Sequence, residues 1–447
     1  MGTESEIKYG LNANMENGKV AAYGFQHMIL LIANAAVMPL VIARGLGLDS
    51  EEISAMLLRT FFICGILCIL QTRFGHRYPI IDGPSGLWLT VWISLASVTG
   101  AIGGDLTELR MHLMFGMLIS GAFVIALGFS GLMKHVAKLF TPLVNGVFLI
   151  LMPIQLSKSF VGGMLGTVYG GTEIDPRSFA AFWVTVASMI LIYIFATPFI
   201  KSIAILIGIA VGWVFAVIIG IGMEHFSDIG ATPFIVIPEL FAWGTPAFDP
   251  GILLTCIIGS FLLFANLFAS TIGMADLLGE EFTVKQIDRS TIFFGVSTIA
   301  TGAFSTIGFI PFATSIGIVR MTGVAARKPF YIGSVAMIVL GIIGPVGLFF
   351  AAIPPAVGYG SLSVLFAIIV KQGTDIVKKA GLTERSGLAF GIALLTGTGI
   401  MMQPIALFTT LPTILQPFVS NGLLIGIVIS MILEQVLKER KDDLTTQ

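Results

Sequence analysis

Apolar stretches of about twenty residues follow one another along most of this chain, and two of them are broken by proline and glycine. Stretches of that length can cross a bilayer as helices, and about fourteen can be placed between residues 20 and 436. The third, residues 79–98, begins Pro-Ile-Ile-Asp-Gly-Pro-Ser-Gly-Leu-Trp, and the tenth, residues 309–323, begins Phe-Ile-Pro-Phe-Ala-Thr-Ser-Ile-Gly. Irregular backbone persists in a membrane only where protein or a water-filled cavity satisfies its polar groups. The two breaks therefore predict a transporter-like substrate site near the middle of the membrane.

The composition agrees with an integral membrane protein and excludes several other classes. Hydrophobic residues make up 56% of the chain and charged residues 11%, whereas soluble domains average about 25% charged residues. The net charge of −1 and the lack of a basic stripe argue against nucleic acid as a partner. Cys64, Cys68 and Cys256 lie in apolar segments, so we expect packing residues and neither a metal site nor a cofactor. The polar first nineteen residues predict no cleavable signal peptide.

The positions of lysine and arginine predict the orientation of the chain. If the N-terminus is cytoplasmic, most of these residues fall in cytoplasmic loops and tails. The opposite loops and helix ends keep only Arg44, Arg59, Arg110, Lys158 and Arg177. An even number of spans returns the C-terminus to the same side. We therefore expect a multi-pass protein of the cytoplasmic membrane with both termini in the cytoplasm.

The segments divide into two halves of about seven each. The predicted organisation, in chain order, is a cytoplasmic tail, a first repeat, an extracytoplasmic loop, a second repeat and a second cytoplasmic tail: residues 1–19, 20–223, 224–249, 250–436 and 437–447. An odd number of segments in each repeat makes the second run inverted relative to the first. The broken segment is third in each half, which favours an all-α fold of two inverted seven-segment repeats.

Four stretches carry a resemblance to a known family. They are Gln26-His27 in segment one, Pro79 to Trp88 in segment three, Ser270-Thr271-Ile272-Gly273 in segment eight, and Phe312 to Val319 in segment ten. The chain resembles the nucleobase–ascorbate transporters, also called the nucleobase:cation symporter-2 family. The resemblance extends over nearly the whole length and is strongest to a purine permease branch.

The resemblance implies a function and an architecture. It implies a secondary active transporter, not an enzyme, that carries a purine-type nucleobase by alternating access, with proton symport as the family's usual coupling. Each broken segment would be a short strand followed by a half-helix. Segments one to four and eight to eleven would form a core domain, and the others a gate domain that often mediates homodimer formation among membrane lipids.

The chain departs from the family pattern where that family holds its substrate. An acidic residue in segment eight and an acidic or amide residue in segment ten usually bind the nucleobase edge. Here these places carry Ser270 and Thr314, and the signature asparagine is Ser315. Hydroxyl groups make single hydrogen bonds and carry no proton near neutral pH. The departure leaves both the substrate and the proton coupling open.

The first break offers one set of candidate residues. An ionisable residue inside a span is a functional candidate because burying its charge is costly, and Asp82 is such a residue. Ser85 and Gly86 follow it and expose backbone N–H groups at the positive end of the half-helix, which can bind an electronegative carbonyl or an anionic ring. Asp82 could therefore bind substrate or carry the coupling proton, or it could only cap the half-helix.

The second break offers another set. Thr314, Ser315 and Gly317 occupy the position where backbone N–H groups are exposed, although the two hydroxyls could also serve as ordinary caps. Phe312 could stack on a planar ring. It could equally be a packing residue, because the chain holds 35 phenylalanines.

Two further residues are candidates for proton coupling. His27 in segment one can titrate near physiological pH, or it could be a neutral packing residue. Asp276, six residues after Ser270, could be a relocated proton site or a solvated residue at a helix end.

Two other functions remain open from the sequence. An anion transporter of the same fold would use the two half-helix ends to hold sulfate or bicarbonate. An uncoupled facilitator or channel for small heterocycles would explain the missing carboxylates. The sequence contains no catalytic motif of the common hydrolase or metalloprotease types, so we do not expect an enzyme.

Overall fold

The computed structural model describes residues 7–168, 173–222 and 232–437. Almost all of the predicted tail 437–447, the first residues of the predicted tail 1–19 and part of the predicted loop 224–249 lie outside the described residues.

The described chain is built from helices, with two short strands at the predicted breaks. The elements of the first half are α1 (Asn17–Ala35), α2 (Val37–Gly45), α3 (Ser50–Arg73), β1 (Asp82–Pro84), α4 (Gly86–Ala101), α5 (Leu106–Ser130), α6 (Met133–Val136), α7 (Pro142–Leu165), α8 (Pro176–Phe195), α9 (Pro198–Ser202) and α10 (Ala204–Ile218). Those of the second half are α11 (Pro250–Leu262), α12 (Phe264–Leu278), α13 (Val284–Ala303), β2 (Phe309–Pro311), α14 (Thr314–Thr322), α15 (Arg327–Leu340), α16 (Gly344–Ala351), α17 (Pro355–Ala380), α18 (Glu384–Met401), α19 (Gln416–Val419) and α20 (Gly422–Val436).

Many of these helices are apolar and long enough to cross a membrane. In the described chain, 7 helical stretches meet both conditions, and the joined pairs α1–α2 and α11–α12 are two of them. Helices α4, α10 and α20 are also apolar but shorter. The prediction of an all-helical, multi-pass membrane protein is confirmed, while the count of fourteen segments stays a prediction.

Local sequence signals set many of the helix ends. The Asp49 carboxylate accepts a hydrogen bond from the backbone N–H of Glu52 at the start of α3, and Asp249 caps α11 in the same way. Thr283 and Gln286 form a reciprocal capping box at the start of α13. At the other end of α14, Gly323 adopts a φ of 68°, a left-handed conformation that glycine reaches without strain.

The two broken segments meet at a two-stranded antiparallel sheet. Asp82 pairs with Pro311 and Pro84 with Phe309. The pairing is extended on both sides, because the N–H of Ser85 donates to Gly308 (2.9 Å) and the N–H of Phe312 donates to Ile81 (2.8 Å). Each strand leads directly into a half-helix, α4 or α14. The predicted short strand followed by a half-helix is therefore present at both breaks.

Helix packing repeats between the two halves. The contact between α1 and α15 corresponds to the contact between α11 and α5. In the same way, the contact between α3 and α15 corresponds to the contact between α13 and α5. Among the remaining helices, α8 packs on α10 and α17. Its counterpart α18 packs on α20 and α7, the counterparts of those two helices. Exchanging each segment with its counterpart in the other half reproduces the same pairs. We call the helices that pack around the sheet the core domain and helices α7, α8, α10, α17, α18 and α20 the gate domain, after the expected organisation.

One end of the molecule is marked by the N-terminal segment. The Arg327 side chain, at the start of α15, donates to the backbone carbonyl of Arg77 and to the Asn12 amide oxygen, both at 2.8 Å. We call this the inner end and the opposite one the outer end. Tyr9 extends the contact by forming a parallel bridge with Val324. Residues 7–15 therefore lie against the inner ends of α14 and α15.

Candidate functional site

The central sheet places the two half-helices around one point. Because β1 and β2 are antiparallel, α4 and α14 start at opposite ends of a three-residue sheet and run in opposite directions. Both helix N-termini therefore flank the sheet and carry partial positive charge. At the start of α14, the N–H groups of Ser315 and Ile316 donate to the carbonyls of Phe312 and Ala313 (both 3.1 Å). Neither N-cap residue, Ser85 or Ala313, caps its helix through a side-chain hydrogen bond. This arrangement suits an electronegative group on a ligand.

Three of the predicted site residues lie on the open side of the second break. Thr314 and Gly317 are exposed one turn apart on α14, and a Cβ atom built on Gly317 would meet nothing within 4 Å. The Phe312 ring is half-buried beside Gly83, whose Cβ would lie 2.8 Å from Cε2 of that ring. Glycine at position 83 thus allows the aromatic ring to lie close to the strand backbone.

The three predicted serines are buried, and two have hydroxyls bonded to backbone. Ser315 accepts a hydrogen bond from the N–H of Ile81 (3.0 Å), which ties the two breaks together. Ser270 donates to the carbonyl of Asn266 (2.7 Å) within its own helix. The Ser85 hydroxyl is buried without a hydrogen-bond partner among the described residues. Contact of these serines with substrate stays a prediction.

Gly86, the first residue of α4, is half-buried beside side chains of the gate domain. A Cβ at Gly86 would lie 3.0 Å from Sδ of Met152 on α7 and 3.3 Å from Cζ of Phe366 on α17. One turn further along α4, the Thr90 hydroxyl donates to the carbonyl of Gly86. Met152 and Phe366 therefore bring α7 and α17 close to the start of α4, and a space opens further along α4 on its outer side.

That space is a large cavity between α4 and the gate domain at the outer end. Its volume is about 630 Å³, within the range of sites for small organic ligands. The polar side chains that line it are Arg44, Thr90, Ser94, Ser97, Gln155, Lys158, Ser159, Thr167, Tyr359, Gln403 and Ser420. Gln155 spans the cavity wall, since its amide accepts from the N–H of Leu423 (2.8 Å) and faces Ser94 (3.4 Å). Among the described residues, the lining contains basic and neutral polar groups and no carboxylate.

The three coupling candidates have different surroundings. His27 is buried, with the edge of its ring against Phe330 of α15 (5.4 Å between centroids). Asp276 is exposed near the inner end of α12, where a solvated residue is the simpler interpretation. Asp82 is buried, and its carboxylate lies 3.7 Å from Nε2 of His76. The structure does not bring the three together at one place.

Sequence reasoning missed His76, which lies in the connection from α3 to β1. The adjacent Arg77 indicates a charged loop, so the local sequence does not place this histidine within a span. A histidine six residues before a buried aspartate in an apolar stretch was the available signal. As for metals, the described residues contain no group of three or more His, Cys, Asp or Glu placed to hold an ion.

Two crossing broken segments, each with a half-helix, define a membrane transporter of the inverted-repeat type. A family model described as the permease family matches residues 18–406, so the chain belongs to that family. It is 29% identical over 443 residues to "Putative purine permease YwdJ" of Bacillus subtilis, covering 95% of this chain and 98% of that protein. It is 27% identical over 442 residues to the uric acid permease PucJ of the same organism, covering 96% and 95%. The chain is thus a transporter and not an enzyme.

The fold also resembles a solved anion transporter. The transmembrane domain of the cyanobacterial bicarbonate transporter BicA aligns with a TM-score of 0.58 over 86% of this chain and 97% of that one. The sequence identity is 16%, so the likeness shows the fold alone.

Proposed function

We propose that this permease carries a purine-type nucleobase by alternating access, with the ring held between the N-terminal ends of α4 and α14. The observation that carries the proposal is the antiparallel sheet, which places both helix N-termini around one point in a family member. The named relatives are a purine permease and a uric acid permease. Oxopurines present electronegative carbonyl oxygens, which partially positive helix ends can bind.

The residues on the open side of the second break give the proposal its chemistry. Thr314 supplies a hydroxyl that can donate or accept, and Gly317 lets the ring approach the backbone of α14. Phe312 supplies an aromatic face, and stacking of a base on such a ring contributes about 1–3 kcal/mol. Ser85, Gly86, Ser270 and Ser315 would form the walls of this site. Recognition would depend on backbone N–H groups and hydroxyls in place of a carboxylate.

The cellular setting follows from the charge bias and the family. We propose a homodimer in the cytoplasmic membrane, with both termini in the cytoplasm and the inner end facing it. Transport would be coupled to proton entry, with His27, Asp82 and Asp276 as candidate proton carriers. An uncoupled facilitator is the alternative.

A second candidate function is anion transport. The fold likeness to a bicarbonate transporter favours it, as does the outer cavity, whose described lining residues include Arg44 and Lys158 but no carboxylate. The half-helix N-termini would then hold the anion directly. The sequence relatives favour the nucleobase, because their match covers nearly the whole chain at higher identity.

Uptake by cells that lack their own carriers tests these proposals. Radiolabelled purines, uracil, urate, allantoin and sulfate are supplied with and without a protonophore. Saturable purine uptake supports the nucleobase function, and its loss with the protonophore supports symport. Sulfate or bicarbonate uptake without purine uptake contradicts the nucleobase function. Thr374→Ala, at an exposed threonine near the inner end of α17, is a control variant that should transport normally.

A further inference from the structure

A buried polar cluster lies between the inner end of α3 and strand β1. Gln71 on α3, His76 in the connection and Asp82 on β1 have exposed fractions of 0%, 0% and 1%. Among the described residues, Asp82 is the one acidic side chain that is buried to this degree. Burying polar groups and charges is costly, so a cluster of this kind inside a membrane protein indicates a function.

The hydrogen bonding of His76 fixes where its proton lies. Nδ1 accepts a hydrogen bond from the N–H of Tyr78 (3.0 Å), so Nδ1 carries no proton. The ring is therefore neutral, with its one N–H at Nε2. Nε2 lies 3.7 Å from Oδ2 of Asp82. The imidazole thus directs a donor, but no full positive charge, toward the Asp82 carboxylate.

The cluster is incompletely satisfied by the described residues. Oδ2 of Asp82, Nε2 of His76 and both amide atoms of Gln71 have no hydrogen-bond partner among them. The Gln71 amide lies against Gly75: a Cβ atom built on Gly75 would be 2.0 Å from Oε1 of Gln71. A buried carboxylate that faces only a neutral donor is poorly stabilised as an anion, so it is poised to bind a proton.

The other titratable groups near Asp82 are few. On α3, the Sγ of Cys64 donates to the carbonyl of Asp82 (3.1 Å), and the N–H of Asp82 donates to the Sγ of Cys68 (3.3 Å). Arg59, earlier on α3, is directed to the carbonyl of Ser305. On α1, His27 is turned to α15, and β2 carries no titratable residue. His76 is therefore the partner of the Asp82 carboxylate.

Tyr78 lies between this pair and the inner end. Its ring is stacked nearly parallel to that of His76 (7°, with 6.3 Å between centroids), and its hydroxyl accepts from Nε2 of Gln286 (3.5 Å). Burial, together with the nearby Glu280, raises the pKa of Tyr78 to about 12. Tyr78 therefore stays neutral at physiological pH and does not itself carry the coupling proton.

We propose that Asp82, positioned by His76, is the proton-binding site that couples purine transport to proton entry. A proton from solvent on one side binds a carboxylate oxygen of Asp82, giving a neutral carboxylic acid, and leaves to solvent on the other side. Asp82 begins β1 and lies four residues before the start of α4. Neutralising it removes a negative charge close to the end of that half-helix, so an electronegative substrate binds better. By reciprocity, substrate binding favours protonation of Asp82.

This inference rests on the proposed function, and paired assays in proteoliposomes separate the two. One assay measures purine accumulation driven by a pH gradient, and the other measures purine exchange at equal pH on both sides. We expect Asp82→Asn to lose gradient-driven accumulation at least tenfold while keeping exchange, which becomes nearly independent of pH. Asp375→Asn removes an exposed carboxylate paired with Lys371 and is the matched control, expected to retain both activities.

A second variant keeps the test decisive if Asp82→Asn does not fold. His76→Gln replaces the imidazole by a weaker neutral donor, so we expect the pH profile of exchange to shift with the fold intact. An unchanged pH profile in His76→Gln would overturn the proposal, as would gradient-driven accumulation by Asp82→Asn at the unaltered level. If the unaltered protein exchanges purine but ignores the pH gradient, the proton site is wrong and the proposed function stands. If it exchanges no purine, the proposed function itself is wrong.

Discussion

Substitution by alanine should have different effects at two adjacent residues of the second break, Thr314 and Ser315. The Ser315 hydroxyl is buried and accepts from the N–H of Ile81, whereas Thr314 is exposed on the open side of α14. Ser315→Ala removes the acceptor of a buried backbone N–H, and Thr314→Ala removes a hydroxyl that faces the proposed ligand. The first change should therefore lower stability and the second should weaken transport.

The magnitudes follow from the environment of each hydroxyl. A buried donor left without a partner costs about 1–3 kcal/mol, so Ser315→Ala should reduce the folding equilibrium constant by a factor of about 5 to 150. In a chain of this size the apparent unfolding temperature falls by about 2 °C per kcal/mol at most. One neutral hydrogen bond to a ligand contributes about 0.5–1.5 kcal/mol, so Thr314→Ala should raise KM for purine by about 2- to 12-fold.

Thermal unfolding of the detergent-purified protein and initial-rate uptake measure the two effects. Ser315→Thr is the control for the first, because it keeps a hydroxyl at the same position. We expect the unfolding temperature of Ser315→Ala to be several degrees lower than that of the unaltered protein. The unfolding temperature of Thr314→Ala should be unchanged. Equal unfolding temperatures for both alanine variants would show that the hydrogen bond between the breaks does not stabilise the sheet. A normal KM in Thr314→Ala would remove that residue from the site.

Three further predictions concern other contacts. Gly83→Ala brings a Cβ to 2.8 Å from the Phe312 ring, so the ring must move, and we expect weaker purine binding in a competition assay with little change in expression. Gln155→Leu removes the amide that accepts from Leu423 and faces Ser94, and we expect a changed maximal rate in uptake assays because the contact joins α4 to the gate domain. Arg327→Gln removes the two hydrogen bonds that hold Arg77 and Asn12, and we expect faster protease cleavage within residues 7–15, read by mass spectrometry.

The positions of the elements could be predicted because they depend on local sequence. Proline and glycine cannot continue a regular helix without cost, so the breaks at 79–98 and 309–323 were visible as interruptions of apolar stretches. The antiparallel pairing of the two strands also agrees with the inverted relation that an odd number of segments implies. The fold was thus largely contained in the spacing of apolar stretches and in two short motifs.

The directions of the side chains could not be predicted in the same way. Ser315 and Thr314 are neighbours of similar chemistry, yet only the tertiary pairing with Ile81 decides which hydroxyl is buried. The capping interpretation of Asp82 is wrong, because Ser85 precedes α4 as its N-cap and Asp82 faces His76 instead. No local pattern encodes that contact, since it depends on how the connection after α3 folds back on β1.

The contact between Asp82 and His76 offers a physical explanation for the missing carboxylates of segments eight and ten. A proton-coupled carrier needs a group whose charge changes within the membrane, and hydroxyls at Ser270 and Thr314 cannot provide one. In this chain the buried carboxylate is that of Asp82 on β1, whereas Thr314 at the start of α14 is exposed. Substrate would then contact hydroxyls and helix ends while the proton binds the Asp82 carboxylate. Coupling by that route needs no direct contact between proton and substrate, because the charge at Asp82 acts on the helix end through a few residues of backbone.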